Sequence, residues 1–185
     1  MSSSLPFGVA DIQREAAAGR ELPPVERWNP ALCGDIDIRI ARDGTWFHQG
    51  SPIGRTELVR LFSTILRRDG DDYVLVTPAE KMRIKVEDAP FMAVLMDAEG
   101  EGSEQRLIFT TNVGDVTVAG ADNPIRVETD PVSEEPAPYV HVRRGLEARI
   151  ARAVFYQLAD LAVPDEAGIL GVWSGGVFFP IGRQT

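Results

Sequence analysis

The sequence predicts an α+β fold in two similar halves, each a mostly antiparallel sheet with one amphipathic helix. Three observations lead there. Asp35-Ile36-Asp37-Ile38-Arg39-Ile40 alternates polar and apolar residues strictly, as a half-buried strand does. Two stretches carry an apolar stripe at helical spacing, one early and one late in the chain. Two strings look alike: Gly44-Thr45-Trp46-Phe47 leads to Pro52-Ile53-Gly54-Arg55, and Gly176-Val177-Phe178-Phe179 leads to Pro180-Ile181-Gly182-Arg183. A degenerate duplication would produce such strings.

Residues 1–30 read as a docking arm. A short helical stretch around Val9 to Ala18 stops at Gly19, and Pro23-Pro24 then forbids helix and favours an extended path. Val25 and Trp28 give that path apolar anchors. The N-terminal half, residues 31–89, opens with the alternating strand; Asp43-Gly44 supplies a two-residue hairpin turn, and Thr45 to Gln49 returns. In that register Arg39 pairs with His48. One face carries Ile36, Ile38, Ile40 and Phe47, and the other carries Asp35, Asp37, Arg39, Trp46 and His48.

A helix over about Thr56 to Leu66 follows, with Leu58, Leu61, Phe62, Ile65 and Leu66 on one stripe. Asp69-Gly70 breaks it, and strands Tyr73 to Thr77 and Met82 to Glu87 join at Pro78-Ala79. The C-terminal half, residues 90–185, begins with the apolar run Phe91 to Met96, read as a strand buried on both faces. Leu107 to Thr111 and Val116 to Ala119 form a hairpin around Gly114-Asp115, and Ile125 to Glu128 continues the sheet. After the loop Asp130 to Pro138, Tyr139 to Arg143 is a strand, and a helix runs from about Leu146 to Leu161. A final hairpin joins Ile169 to Trp173 and Val177 to Phe179.

Composition narrows the function classes. Of 185 residues 44% are hydrophobic, and no run approaches the roughly 20 apolar residues that cross a bilayer. Met1 to Ala10 has no basic region and no long apolar region, so a cytoplasmic location is expected and no membrane span. The net charge of -9 repels phosphate backbones, which argues against nucleic acid. Cys33 is the only cysteine, leaving no internal disulfide and no multi-cysteine zinc site. No motif points to a cofactor.

Several strings, in order, resemble one family of bacterial proteins. They are Pro23-Pro24-Val25-Glu26 with Trp28-Asn29-Pro30, Cys33-Gly34-Asp35, Asp43-Gly44-Thr45-Trp46, and Leu75-Val76-Thr77-Pro78-Ala79-Glu80-Lys81. Val86-Glu87-Asp88-Ala89-Pro90-Phe91, Thr110-Thr111-Asn112, Pro138-Tyr139-Val140, Arg143 and Gly145-Leu146-Glu147-Ala148-Arg149 continue the match. The chain is similar to domain-of-unknown-function family 1285. The resemblance implies a duplicated α+β core whose second half is pleckstrin-homology-like, a ligand site at the interface between halves, and a role in signal transduction.

The candidate ligand-binding residues fall in three groups. The hairpin face offers Arg39, Trp46 and His48, with Arg55 in the repeated string; packing between the halves is the plainer use of Trp46. Thr77, Glu80 and Lys81 place a hydroxyl, a carboxylate and an ammonium on one tight turn, which an ordinary satisfied turn also explains. Arg143 and Arg144, with Arg149 and Arg152, form a basic cluster at a strand-to-helix junction that suits a phosphate or carboxylate, or simply a solvated helix face.

The expectation is a binding or regulatory module for a small ligand, peptide or protein partner. The alternative is a hydrolase or other small-molecule enzyme using His48 with Asp35, Asp37 or Cys33. A metal at Asp35, Asp37, His48 and His141 would need distant segments to converge, and no metal is assigned. Asn112 and Asp115 read as turn residues.

Overall fold

The computed structural model describes residues 22–183. The chain divides into two compact units, one running up to Ile40 and then over Thr45–Val86, the other holding Ala41–Gly44 and everything from Glu87 onward. The helical stretch expected around Val9 to Ala18 lies outside the described residues. No helix among the described residues is long and apolar enough to cross a membrane.

The first unit holds β1 (Leu32–Ile40), β2 (Trp46–His48), β3 (Ser51–Pro52), α1 (Thr56–Thr64), β4 (Leu66–Asp69), β5 (Asp72–Val76) and β6 (Lys81–Val86). Its sheet runs in the order β3-β2-β1-β6-β5-β4, and only β1 and β6 pair in parallel. The second unit holds β7 (Phe91–Glu99), β8 (Arg106–Thr111), β9 (Val116–Val118), β10 (Ile125–Thr129), β11 (Pro136–Arg143), β12 (Leu146–Ile150) and α2 (Arg152–Asp160). Its sheet order is β10-β11-β12-β7-β8-β9, with β12 and β7 the parallel pair.

Counted within each unit, both sheets read third, second, first, sixth, fifth, fourth strand, so the two halves share one topology. The helix differs: α1 lies between the third and fourth strands, whereas α2 follows the sixth. Three further strands, β13 (Val163–Pro164), β14 (Ile169–Ser174) and β15 (Val177–Arg183), form a separate small sheet. The look-alike strings fall on β2–β3 and on β15, which are not equivalent elements. Topology carries the repetition, and the strings do not.

The first hairpin departs from the expected register. Ile40 pairs with Trp46, Arg39 with Phe47 and Ile38 with His48, so the loop is longer than Asp43-Gly44. Gly44 turns at φ 87°, its N–H bonded to the Ala41 carbonyl. The longer loop puts Trp46 on the face of Ile38 and Ile40, where all three are at most 2% exposed. Burying an indole of about 200 Å² is worth up to ~5 kcal/mol, far more than a tighter turn offers.

Three more expectations are corrected. The early helix stops at Thr64, because Leu66 is needed opposite Leu75 in the sheet. β7 is not buried on both faces: Val94 and Leu95 are 40% and 61% exposed, past a register shift that turns the strand over after Ala93. The late helix begins at Arg152; Leu146, Ala148 and Ile150 are buried alternately on β12, a strand. Residues 146 and 150 fit periods of 2 and 3.6 equally, so spacing alone misled.

Val25 and Trp28 are held by bonds within the first unit. Val25 is 1% exposed, and the Arg67 guanidinium donates to the carbonyls of Val25 (2.8 Å) and Trp28 (2.7 Å). Its remaining donors take Asp69 at 2.7 and 2.9 Å, and Lys81 reaches the same carboxylate at 3.1 Å. The bond from Arg67 holds the Asp69 carboxyl below its usual range against the opposing effect of burial, with Lys81 assisting. A carboxyl depressed by folding adds stability above its unfolded pKa, near 4, and loses it as pH falls through the lower folded value. Asp69→Asn should therefore lower the urea midpoint at pH 7, and the gap to the parent should shrink below about pH 4. Parallel pH profiles would show that Asp69 contributes nothing through its charge.

Candidate functional site

The residues proposed from sequence fall in both units, Arg39, Trp46, His48, Arg55, Thr77, Glu80 and Lys81 in the first and Arg143 and Arg144 in the second. Trp46 is a core residue stacked on Phe62, ring centroids 6.3 Å apart. Arg39 lies on the other face of the ribbon with its guanidinium 4.3 Å from the Phe47 ring centre. His48 sits opposite Ile38, so Asp37 projects from the opposite side of the strand. Among the described residues His48 has no hydrogen bond to Asp35, Asp37 or Cys33, and the Cys33 thiol donates to the Ala31 carbonyl instead. No group of three or more His, Cys, Asp and Glu side chains among the described residues is placed to hold a metal ion.

Arg55 is the exposed residue before α1, its carbonyl accepting from Leu58 and Val59. Thr77 is 6% exposed, and its hydroxyl accepts from the backbone N–H of Glu80 (3.0 Å) and Ala79 (3.3 Å). Thr77 N–H donates to the Glu80 carbonyl, closing the turn, and Lys81 is committed to Asp69. This is a satisfied turn.

The arginine cluster splits. Arg143 ends β11, and Arg144 and Gly145 form the turn to β12 with φ of 51° and 75°. Arg143 lies 5.1 Å over the Phe91 ring and bonds both oxygens of Asp115. Arg149 and Arg152 stand at the far end of β12, where it enters α2. A strand of that length separates the pairs by roughly 3.3 Å per residue.

At that far end the second unit carries a half-open cleft of about 500 Å³. Its apolar lining is Met92 from β7, Pro136 from β11, Ile150 from β12 and Ala151, Phe155 and Tyr156 around α2. Its charged lining is Arg42, Asp88, Glu135, Arg149 and Arg152. Four segments distant in sequence supply it, and each is held there by specific bonds.

Asp88, Tyr139 and Arg149 form a closed triangle. The Tyr139 phenol donates to Asp88 Oδ1 at 2.5 Å, and Arg149 Nη1 donates to Asp88 Oδ2 and to the Tyr139 oxygen, each at 3.2 Å. The guanidinium carbons of Arg126 and Arg149 stand 4.3 and 5.3 Å from the Tyr139 ring centre. Burial pushes the phenol above its usual range and the Asp88 bond adds to this, while Arg149 opposes it. Tyr139 therefore acts as a neutral donor that fixes Asp88 and, through it, Arg149.

Asn112 secures the other side. Its Oδ1 accepts from Met92 N–H (3.0 Å), its own N–H donates to the Met92 carbonyl (2.8 Å), and Nδ2 donates to the Gly44 carbonyl (3.3 Å). One amide thus ties the Ala41–Gly44 loop, which carries Arg42, to the strand that supplies the cleft floor. A Cβ at Gly44 would sit 2.9 Å from that amide nitrogen, so glycine is required there for space as well as for φ.

Sequence reasoning singled out Arg149 and Arg152 only as part of the basic cluster, and it missed Arg42, Asp88, Tyr139 and Phe155 as site residues. It read Asn112 as a turn residue. A signal was present: Asp88, Asn112, Tyr139 and Arg149 all lie in the strings that carry the family resemblance.

The comparisons bear on the whole chain. Residues 23–89 match the profile of the domain of unknown function DUF1285, N-terminal domain, and residues 90–181 match that of the C-terminal domain. A crystal structure of a DUF1285 family protein from Silicibacter pomeroyi DSS-3 is 55% identical with a TM-score of 0.86, covering 93% of this chain and 94% of that one. A second, from Shewanella baltica OS155, is 27% identical with a TM-score of 0.53, covering 66% of this chain and 90% of that one. No curated protein matches. With both domain profiles matched in order and a solved relative aligned over nearly its full length, the chain belongs to the DUF1285 family.

Proposed function

We propose that this chain is a non-enzymatic binding module of the cytoplasm, acting in regulation or signal transduction, whose ligand is a small anionic molecule with an apolar part. The observation that carries the reading is the cleft of about 500 Å³, a size typical of small-ligand sites, where an aromatic and aliphatic floor meets three arginines and two carboxylates. The apolar lining supplies affinity and the guanidinium groups orient an anion. The site is built on a sheet braced by the Asp88–Tyr139–Arg149 triangle, so it is preformed and pays little ordering entropy on binding.

A six-stranded, mostly antiparallel sheet followed by one helix supports a pleckstrin-homology-like reading of the second unit. A fold of that kind hosts many functions, so the functional reading rests on the cleft.

The test is a mixed library of acidic, neutral and basic fragments screened by NMR against the 15N-labelled chain. Acidic fragments bearing a ring should dominate the hits, with Kd of about 0.1–1 mM and shifts centred on Met92, Ala151 and Phe155. Hits spread over the surface, with none at the cleft, would refute the reading.

A further inference from the structure

Arg149 is engaged by Asp88 at 3.2 Å and Arg152 by Glu135 at 3.1 Å. Two of the three cations are thereby neutralised by carboxylates that line the same cleft. The third, Arg42, has no hydrogen-bond or ion-pair partner for its guanidinium among the described residues; only its backbone N–H is engaged, by Glu87 at 3.0 Å. Asp130 is near enough to interact with Arg42 weakly, but its Oδ1 already accepts from the N–H groups of Val132 and Ser133. The cationic surplus in the cleft is thus one charge at most, and it resides on Arg42.

We infer that the ligand is an organic acid with a single carboxylate and an aromatic or aliphatic body, its carboxylate on Arg42 and its body against Met92, Phe155 and Tyr156. A phosphate monoester carries between one and a half and two negative charges at neutral pH, roughly. Its second charge would meet only arginines already paired, Arg149 with Asp88 and Arg152 with Glu135, in a protein whose net charge is already -9. Nucleotides and inositol phosphates meet the same objection more strongly. A neutral ligand forgoes the one arginine of the cleft that no carboxylate bonds. A guanidinium fork, by contrast, matches one carboxylate through two parallel N–H···O bonds. Tyr156, 59% exposed beside the cleft, supplies apolar surface that a bound acid would cover.

This inference rests on the cleft being a ligand site, and the experiment separates the two. The 15N-labelled full chain is titrated at pH 7.5 with 4-phenylbutyrate, with its neutral amide 4-phenylbutanamide, and with phenyl phosphate, following the backbone resonances of Ala151, Arg152 and Ala153. The acid should bind at least tenfold more tightly than the amide or the phosphate ester. Arg42→Ala should reduce acid binding to the level of the amide while leaving amide binding unchanged, and the spectrum itself reports whether the variant is folded. Equal or tighter binding of the amide or the phosphate ester overturns the monocarboxylate inference and leaves the cleft as a site. If none of the three moves a cleft resonance, the site reading falls with it.

Discussion

Trp46→Ala should destabilise the first unit by about 3–5 kcal/mol, while Trp46→Phe should cost under about 1.5 kcal/mol. The indole is 2% exposed, stacked on Phe62, and shares a face with Ile38 and Ile40, so alanine leaves a cavity that a sheet cannot close. Phenylalanine keeps most of that volume. It also removes the indole N–H, which is buried with no hydrogen-bond partner among the described residues. An unsatisfied buried donor costs about 1–3 kcal/mol, which offsets part of the packing lost with the smaller ring. Urea unfolding followed by far-UV circular dichroism measures both variants. A Trp46→Ala loss below about 1 kcal/mol would mean that the indole is not core packing.

Trp46 also shows where sequence reasoning stopped. The alternation of Asp35 to Ile40 was legible, and so were the stripe of α1 and the hairpins at Gly114-Asp115 and Ser174 to Gly176. Register was not, because one added loop residue exchanges the faces of a returning strand. The choice is made by what Trp46 gains from burial, and no local propensity encodes it. The same limit applied at Leu146 to Ile150, whose buried positions suit a strand or a helix.

The site was less legible than the fold. Arg149 pairs with Asp88 across 61 positions of sequence, and Arg42 belongs to the second unit although the strands before and after it in sequence, β1 and β2, belong to the first. What brings them together is the central parallel pairing of each sheet, Leu32 with Lys81 and Ala148 with Phe91 among the matched positions. Parallel neighbours need long connections, so their partners leave no short-range pattern. The family strings marked the right residues without saying that they meet.

Asp88→Ala should destabilise the second unit by about 2–4 kcal/mol, a larger effect than either Tyr139→Phe or Arg149→Met alone. The ordering follows from what each change leaves behind. Without Asp88, the Arg149 guanidinium and the phenol of Tyr139, whose residue is 7% exposed, lose a shared acceptor, and the cation is left half-buried without its counter-charge. Arg149→Met removes the charge together with its need for a partner and keeps the apolar stem. Tyr139→Phe leaves the Asp88–Arg149 pair intact and removes one neutral donor. The phenol also sets an alkaline limit: its pKa is raised by folding, so its contribution is complete below about pH 10 and is lost as pH rises through the folded value. A double-mutant cycle between Asp88→Ala and Arg149→Met should give a coupling energy of about 1–2 kcal/mol, and Tyr139→Phe should flatten the alkaline fall in stability. Additive losses would dissolve the triangle into independent contacts. The cleft would then lose its reason for being rigid, and its ligand would have to supply the order that the protein had been taken to provide.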